Sequence, residues 1–519
     1  MKKRFWIVIG LIAGSMLSGC SSSPQTIKEK PEVKRGTIVI PPYQRHHDLV
    51  SYPAKTEGLY KVHVFSTAPA NSTAPAVSTT PANVEPNDLR EFKQDISFYL
   101  KSPGVEGEYI TVQRQKQIDK KYNEEYFSVW HRDRATVAKS KVLDVFEKFS
   151  KKPGFGENMR PHGEDWILKL KDNANLGTYP NTGAKAITVV NADLRELPTQ
   201  RPAFDGVEHS WDAYPFDNLQ VSALPANTPI FISQTSKDRS WVLAETPFGV
   251  GWIAIQDIAY VDKNFIRKWE IGQYVVLTRD ELPIIDQEGS FRFYGYIGFL
   301  FPKAGESKDN FGIRLAVADE RRIAMIKLAT IRKTQAAGKP LRFTLSAMAR
   351  LGMEMMNQPY GWGGMYQNRD CSSMIKDLFT PFGFWLPRNS TDQAARGGQY
   401  IDLRELDPAE RENRILKDGV PFLTLIKVKD PNHIMLYLGN HKGRAAVFHN
   451  FWGIRTKSSE GAEGRVIIGR AVITSLTPGI ERPDIDPKGT LLYRTQGMTI
   501  LARQTTTATT TPTTTTTAK

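Results

Sequence analysis

Cysteine is scarce in this sequence, which contains only Cys20 and Cys371 among its 519 residues. Two cysteines cannot build a disulfide-rich scaffold, so the chain must be stabilised by packed cores. Hydrophobic residues make up 40% of the sequence, charged residues 24% and aromatic residues 10%. These ordinary proportions exclude a wholly disordered chain, a collagen and a multi-span membrane protein, and the length leaves room for roughly three or four domains.

Long hydrophobic runs are also missing, apart from one near the N-terminus. Residues 2–4 are basic and precede an apolar segment, 5–17, whose 13 residues are too few to cross about 30 Å of bilayer hydrocarbon. Leu17-Ser18-Gly19-Cys20 ends this segment, and small residues before a cysteine resemble the bacterial lipobox, where the signal is cleaved and the cysteine is lipidated. We therefore predict a lipoprotein signal peptide at residues 1–20 and a lipid anchor on Cys20. The expected location is the cell envelope, at the outer membrane facing the periplasm if the host is Gram-negative.

The charge balance is basic, with a formal net charge of +14. Such a surplus suits an anionic partner, either nucleic acid or an anionic polymer of the cell envelope. Because the predicted export separates the protein from nucleic acid, and because no nucleic-acid-binding motif is present, we expect no nucleic-acid partner.

Composition and hydrophobic periodicity divide the rest of the chain into segments. Leu89, Phe92, Ile96 and Tyr99 have helical spacing, whereas short β-branched and aromatic runs separated by turn residues begin near residue 176 and indicate small barrels. The predicted segments are a disordered Ser/Thr/Pro/Ala-rich linker (21–87), a mostly helical domain (88–175), a first barrel (176–262), a second barrel (263–325), a catalytic domain (326–495) and a disordered threonine-rich tail (496–519).

The candidate catalytic residues lie in the C-terminal third. Cys371 follows a proline- and glycine-rich break and opens an amphipathic segment, which predicts a position in the first helical turn. There the positive end of the helix dipole favours the thiolate, the nucleophilic form of the side chain. Residues 433–438 and 444–449 indicate a hairpin centred on His441, which we expect to be a solvated turn residue. In that register His433 and His449 face each other, so that one ring can orient the other as the base.

Alternatives remain open for these two histidines. Either ring could be a buried core residue without a catalytic role, and a register slip of one residue would place the rings on opposite faces of the hairpin. Two imidazoles and one thiolate could also bind zinc. No second cysteine nearby and no HExxH helix accompanies them, so we predict no metal and no other cofactor.

Three blocks of sequence resemble the NlpC-type family of papain-like cell-wall cysteine peptidases. They are Pro359-Tyr360-Gly361-Trp362-Gly363-Gly364, Asp370-Cys371-Ser372 and His433-Ile434-Met435-Leu436-Tyr437-Leu438-Gly439. Residues 217–258 and 271–289 resemble the paired bacterial SH3 domains that precede such peptidases. The resemblance implies an α+β protein, in which two small SH3-like β-barrels and a mostly helical N-terminal domain precede a papain-like catalytic domain.

The same resemblance implies roles for individual residues. Cys371 would be the nucleophile, with its backbone amide in the oxyanion hole, His433 the general base and His449 the third polar member. Tyr360 would lie beside the nucleophile. Asp370 and Ser372 would line the substrate cleft.

The implied activity is hydrolysis of peptidoglycan stem peptides at the bond between γ-D-glutamate and the diamino acid, by a cysteine endopeptidase that we expect to be a monomer. Asn389 stands where family members that bind the free amine of L-Ala carry an aspartate, and Asp392 or Asp212 could replace that acid. Two other readings stay open: a non-catalytic cell-wall-binding scaffold lipoprotein, and an acyltransferase on the same fold.

Overall fold

The computed structural model describes residues 85–101, 109–206, 213–457, 461 and 463–502. The predicted signal peptide with Cys20, nearly all of the predicted linker and the end of the threonine-rich tail lie outside these ranges. Helices and sheets are mixed along the chain, which confirms the predicted α+β class. Among the described residues, no helix combines the length and the hydrophobicity that a membrane crossing needs.

The first part of the described chain is helical. Its helices are α1 (Asp88–Glu91), α2 (Val112–Phe127), α3 (Lys139–Lys151) and α4 (Glu164–Asn173), with short 3₁₀ turns at Ile96–Lys101, Ser128–His131 and Leu176–Thr178. This region does not build one core of its own. Phe92 and Ile96 pack into the catalytic domain, Tyr126 and Trp130 pack against the barrels, and Phe146 packs against the first barrel. The helical region therefore joins the other domains by burying a different apolar face on each.

The first barrel is a seven-stranded antiparallel sheet with the order β3-β2-β6-β5-β4-β1-β7. Its strands are β1 (Ala184–Thr188), β2 (Ala192–Arg195), β3 (Gln220–Leu224), β4 (Pro229–Thr235), β5 (Trp241–Thr246), β6 (Gly249–Ala254) and β7 (Ile258–Tyr260), and a 3₁₀ turn lies at Ile255–Asp257. Trp241 and Trp252 are buried together with residues of α3 and α4. These two side chains are core residues rather than an exposed ligand-binding platform.

The second barrel begins after α5 (Lys263–Trp269). Its strands are β8 (Tyr274–Leu277), β9 (Leu282–Ile285), β10 (Phe291–Gly295), β11 (Leu300–Glu306), β12 (Asn310–Ala318), β13 (Ala324–Arg332) and β14 (Ala336–Lys339). Five of them form a sheet with the order β13-β12-β11-β8-β14, and β9 pairs with β10. Strands β13 and β14 lie beyond the predicted boundary at residue 325, because β12 and β13 form one long hairpin.

The catalytic domain packs its helices against a six-stranded sheet with the order β15-β20-β16-β17-β18-β19. The helices are α6 (Leu345–Met355), α7 (Cys371–Phe379), α8 (Ser390–Arg396) and α9 (Pro408–Asp418), with 3₁₀ turns at Trp362–Gln367, Thr380–Phe382 and Pro487–Gly489. The strands are β15 (Gln399–Asp402), β16 (Thr424–Val428), β17 (His433–His441), β18 (Arg444–Lys457), β19 (Glu463–Thr474) and β20 (Thr495–Ile500). Helix α7 packs on β17 and β18, so the N-terminus of this helix faces the middle of the sheet.

The predicted start of the disordered tail at residue 496 is wrong. Residues 495–500 form β20, which pairs with β15 on one side and β16 on the other. The side chains of Met498 and Ile500 are buried, with exposed fractions of 0% and 2%. Nearly continuous burial fits a strand paired on both sides, and the threonine-rich composition that follows it concealed the strand.

Candidate active site

Cys371 is the first residue of α7, as its sequence position predicts. Asp370 caps the helix: its carboxylate accepts a hydrogen bond from the Ser373 amide at 2.8 Å, and the Ser373 hydroxyl accepts one from the Asp370 amide at 2.9 Å. The Cys371 thiol is nearly buried, and the backbone N–H of Ile434 lies near its sulfur, where it favours the thiolate. Since Ile434 directly follows His433 in β17, the sulfur lies beside that histidine's backbone.

A chain of hydrogen bonds fixes the two histidine rings. The Thr474 hydroxyl donates a hydrogen bond to the Ser475 carbonyl oxygen at 2.7 Å. Its own oxygen can therefore accept a hydrogen bond from His449 Nε2–H at 3.0 Å. With Nε2 protonated in its neutral form, His449 accepts at Nδ1, where His433 Nε2 lies 2.8 Å away. His433 is therefore the Nε2–H tautomer, and its Nδ1 keeps a free lone pair. This is the state that a general base requires.

The hairpin that carries the two rings differs from the predicted one. Leu436 pairs with Phe448, whereas His441 pairs with Arg444, and the register shifts between these two points. The loop is therefore two residues long, and extending the Leu436 register places His433 opposite position 451 rather than opposite His449. The predicted one-to-one pairing is wrong by two residues. Because side chains alternate with a period of two, such an even shift keeps both rings on one face, where their centroids lie 5.0 Å apart.

His441 is not a solvated turn residue as expected. It ends β17 and is partly buried, and its ring makes edge contacts with the rings of Phe92, Phe98 and Tyr99 at centroid distances of 5.1, 5.6 and 5.8 Å. Because β17 extends to His441, this residue belongs to the strand rather than to the turn, and its ring contacts the helical N-terminal region. The sequence offered no signal for this contact, because its partners lie more than 300 residues away.

Burial sets the protonation states of the site. Burial, together with the adjacent Asp370 carboxylate, raises the pKa of Cys371 to about 12. Burial and the nearby Lys427 ammonium lower the pKa of His433 to about 3, and burial lowers that of His449 well below its ordinary value. The resting site thus holds a neutral thiol and two neutral imidazoles, and the thiolate favoured by the helix dipole alone is not the resting form.

A cavity of about 320 Å³ opens beside His433. Tyr360, Trp362 and Trp452 line it from the catalytic domain, and Asp205 and Phe216 line it from the first barrel. The Phe216 ring meets Trp362 and Trp452 at centroid distances of 5.2 and 5.4 Å. Burial and the nearby Cys371 raise the pKa of Tyr360 well above its ordinary value, which places its hydroxyl close to the sulfur.

Asp370 and Ser372 do not line this cavity. Both are buried, and Arg388 binds them: its Nη2 lies 2.7 Å from Asp370 Oδ2, and its Nη1 lies 3.0 Å from Ser372 Oγ. Burial alone would raise the pKa of Asp370, but the Arg388 guanidinium and the Ser373 amide hold it below its ordinary value. Through Arg388 the two residues orient the helix that carries Cys371, and their contact with substrate stays a prediction.

Asn389 and Asp392 lie at the start of α8, away from the Tyr360 cavity. The Asn389 side chain accepts from the Asp392 amide at 2.8 Å and donates to the Asp392 carboxylate at 2.8 Å. Both line a separate cavity of about 660 Å³ between α2, the turn at Pro247–Gly249 and α8. The alternative acid, Asp212, lies outside the described residues.

Several residues of the site escaped the sequence interpretation. Arg388 could have been found as a buried cation following a Leu-Pro pair, and Lys427 as a lone lysine in an apolar strand. Thr474 and Phe216 carried no local signal, because each reaches the site only through the sheet pairing and the domain packing. Among the residues that the structure describes, no group of three or more His, Cys, Asp or Glu side chains could hold a metal ion.

Comparisons with known proteins agree with this arrangement. Residues 62–179 match the N-terminal NLPC_P60 stabilising domain, 202–254 match an SH3 domain of the SH3b1 type, 262–308 match an SH3 domain of the SH3b2 type and 357–455 match the NlpC/P60 family. The C-terminal domain is therefore a domain of the NlpC/P60 family, preceded along the chain by its stabilising domain and two SH3 domains. The predicted resemblance is confirmed for the family, the barrels and the fold.

Two solved structures illustrate the likeness. An NlpC/P60 endopeptidase from Photobacterium damselae subsp. piscicida shares 26% identity and a TM-score of 0.72 with this protein, covering 80% of this chain and 98% of its own. An NlpC/P60 family protein from Bacillus cereus shares 15% identity and a TM-score of 0.39, covering 62% of this chain and 100% of its own. No curated protein matches the chain. Together the family domain and the Photobacterium structure indicate an endopeptidase.

Proposed function

We propose that the protein is a peptidoglycan hydrolase that cleaves stem peptides between γ-D-glutamate and the diamino acid, with Cys371 as its nucleophile. The observation that carries the proposal is the chain of hydrogen bonds from Thr474 through His449 to His433, which leaves His433 Nδ1 unprotonated. In this tautomer the Nδ1 atom of His433 can accept a proton, as a general base must.

The reaction follows from these positions. When the peptide binds, the Cys371 proton moves to His433 Nδ1, and the sulfur attacks the carbonyl carbon. The resulting oxyanion accepts hydrogen bonds from backbone N–H groups, among them that of Cys371, which has no intrahelical acceptor at the first position of α7. The C–N bond breaks as the leaving amine takes the proton from His433. Water then attacks the thioester, gives its proton to His433 and releases the acid, and the thiol is restored.

The shape of the Tyr360 cavity supports a peptide substrate. Its aromatic walls suit the apolar parts of a stem peptide, and Asp205 from the first barrel supplies a carboxylate. We propose that Asp205, which also forms an ion pair with Lys152 at 2.9 Å, meets the free amine of L-Ala in place of Asn389 or Asp392, which line a separate cavity. An ammonium bound by a carboxylate makes a charge-assisted hydrogen bond, so the substrate would need an unblocked N-terminus.

Mass spectrometry of digests tests the activity. L-Ala-γ-D-Glu-meso-diaminopimelate tripeptide and glycan-attached stems are incubated with soluble protein lacking residues 1–20, and with its Cys371→Ala variant. Full-length Cys20→Ser protein, which loses the other cysteine and keeps Cys371, is the matched control. We expect L-Ala-γ-D-Glu and free diaminopimelate from the tripeptide with the protein lacking residues 1–20 and with the Cys20→Ser protein. The Cys371→Ala variant should release neither product. Retention of stem peptides by every variant without cleavage would instead support a cell-wall-binding scaffold, and a new amide product in place of hydrolysis would support an acyltransferase.

We further propose that Cys20 carries a lipid that anchors the protein in the cell envelope. The support is the basic, apolar and small-residue order of residues 2–20. The test is cell fractionation with intact-mass measurement. The wild-type protein should sediment with membranes and gain the mass of acyl chains, whereas Cys20→Ser protein should do neither. An unmodified Cys20 in the wild-type protein would refute the anchor.

A further inference from the structure

Lys427 is a buried cation next to the nucleophile. It lies in β16, and its backbone pairs with that of Ile434, the residue whose amide lies near the Cys371 sulfur. Only 6% of Lys427 is exposed. Its ammonium donates to Ser390 Oγ at 3.1 Å and to Asn432 Oδ1 at 3.0 Å, so two of its three protons have neutral acceptors.

No carboxylate lies within ion-pair distance of this ammonium among the residues that the structure describes. Burial lowers the pKa of Lys427 to about 8, while Cys371 and, more weakly, Asp430 act in the opposite direction, so the side chain stays largely protonated at neutral pH. A buried charge without a counter-ion is costly, because the neutral acceptors replace only part of its hydration. Cys371 can neutralise this charge only as a thiolate, so in the resting site, where the thiol is neutral, the position can accept an anion from outside the chain.

The place for such an anion is a cavity of about 480 Å³. Its lining includes Lys427, Lys429, Thr391, Tyr400, Asn432 and Gln496, and none of its lining residues is acidic. Lys429 is exposed and lies two residues further along the chain, directly after β16 ends at Val428. Asn432 also lines the Tyr360 cavity. Asn432, the residue before His433, therefore borders both cavities.

We propose that this second cavity is an anion-binding subsite, in which Lys427 and Lys429 bind a carboxylate of the stem peptide. The subsite rests on the proposed function for its substrate class. Stem peptides carry carboxylates on the α-carbon of D-glutamate and on the diamino acid. A lysine ammonium can form the same charge-assisted hydrogen bond with either of them. A carboxylate bound here would complete the third hydrogen bond of Lys427 and neutralise its charge.

Calorimetric binding to Cys371→Ala protein tests the subsite without turnover. The ligands are the tripeptide with free carboxylates, the same tripeptide amidated at the D-glutamate α-carboxyl, and the tripeptide amidated at the diamino acid. We expect one amide to weaken Kd roughly tenfold and the other to leave it nearly unchanged; the amide that weakens binding identifies the carboxylate. Lys427→Met should weaken the free tripeptide equally and should not weaken the sensitive amide further. Lys427→Arg should restore part of the binding, and Lys429→Ala should have a smaller effect in the same direction.

Two results would overturn the subsite. If both amides bind as tightly as the free tripeptide, no carboxylate is recognised. If Lys427→Met weakens the binding of all three ligands equally, Lys427 acts only through the structure. The variant should then also unfold at a lower temperature than the parent protein. Absence of any tripeptide binding also refutes the subsite. A third result would separate the two proposals. If binding depends on Lys427 but the wild-type protein cleaves no stem peptide, the subsite is supported and the proposed hydrolase activity is refuted.

Discussion

The Nε2 atom of His433 lies 2.8 Å from the Nδ1 atom of His449. A second imidazole thus fills the position where a triad has a carboxylate or an amide, and it can act there only in one tautomer. The Thr474 hydroxyl selects that tautomer because it has already given its own proton to the Ser475 carbonyl. The tautomer of His433 is therefore set by a chain of neutral groups, and no carboxylate ends that chain.

Replacing Thr474 by valine tests this dependence. The change leaves the buried His449 Nε2–H without an acceptor, which costs about 1–3 kcal/mol, and it lets the opposite tautomer compete. We expect kcat/KM on the tripeptide to fall by roughly one order of magnitude or more. Thr474→Ser keeps the hydroxyl and is the matched control, with near wild-type activity. Equal activity of the Val and Ser variants would show that the tautomer is not set by Thr474.

The buried histidines make the folded state sensitive to acid. The folded pKa of His433, at about 3, and that of His449 lie below the ordinary value of 6.5. The unfolded chain therefore binds protons first as the pH falls, and stability is complete above about 6.5 and is lost between there and the folded pKa values. In urea unfolding below about pH 6, each such histidine should remove about 1.4 kcal/mol per pH unit. His449→Gln should reduce that slope, and an unaltered slope in this variant would contradict the neutral buried pair.

The ion pair between Asp370 and Arg388 supports the nucleophile's helix. Asp370→Asn leaves the Arg388 charge buried without its partner, which is expected to cost about 3–5 kcal/mol. The control is Asp392→Asn, which removes an exposed i,i+4 pair with Arg396 and should cost less than about 1 kcal/mol. Urea unfolding at pH 7 measures both. Equal losses in the two variants would show that the buried pair has no special structural role.

The contact between the helical region and the catalytic domain can be tested at Gly352. A Cβ at this position would lie 2.3 Å from Ile96 Cδ1. Gly352→Ala should therefore destabilise the protein by about 1–3 kcal/mol, although alanine favours a helix by about 1 kcal/mol. Ile96→Val removes the clashing atom, so it should recover most of the loss in the double variant. If Gly352→Ala is stabilising by itself, the helical region does not pack as described.

The sequence predicted the parts of the site that local pattern controls. Cys371 starts a helix because a proline- and glycine-rich break precedes it and Asp370 can cap it, and both features are visible in the chain. His433 and His449 share a face because strand periodicity survives an error of two residues. The register itself depended on where the turn lay, and the compact Lys442-Gly443 loop, with both residues at positive φ, was not foreseen.

The parts that the sequence did not predict depend on contacts between distant segments. Ser372 was assigned to the cleft from resemblance, and its hydrogen bond with Arg388 was not foreseen. Strand β20 lies between β15 and β16 and pairs with both, although about 70–100 residues of sequence separate it from them. The wall that Phe216 builds over the Tyr360 cavity requires the packing of two domains. None of these relationships has a signature in a window of ten or fifteen residues.

The most direct test of the account is the capture of the acyl-enzyme by rapid quench and mass spectrometry of the peptide that contains Cys371. With the tripeptide as substrate, wild-type protein should show the mass of L-Ala-γ-D-Glu as a thioester on Cys371, and Cys371→Ala protein should show neither this adduct nor product. Hydrolysis by the Cys371→Ala variant at the wild-type rate would contradict the account.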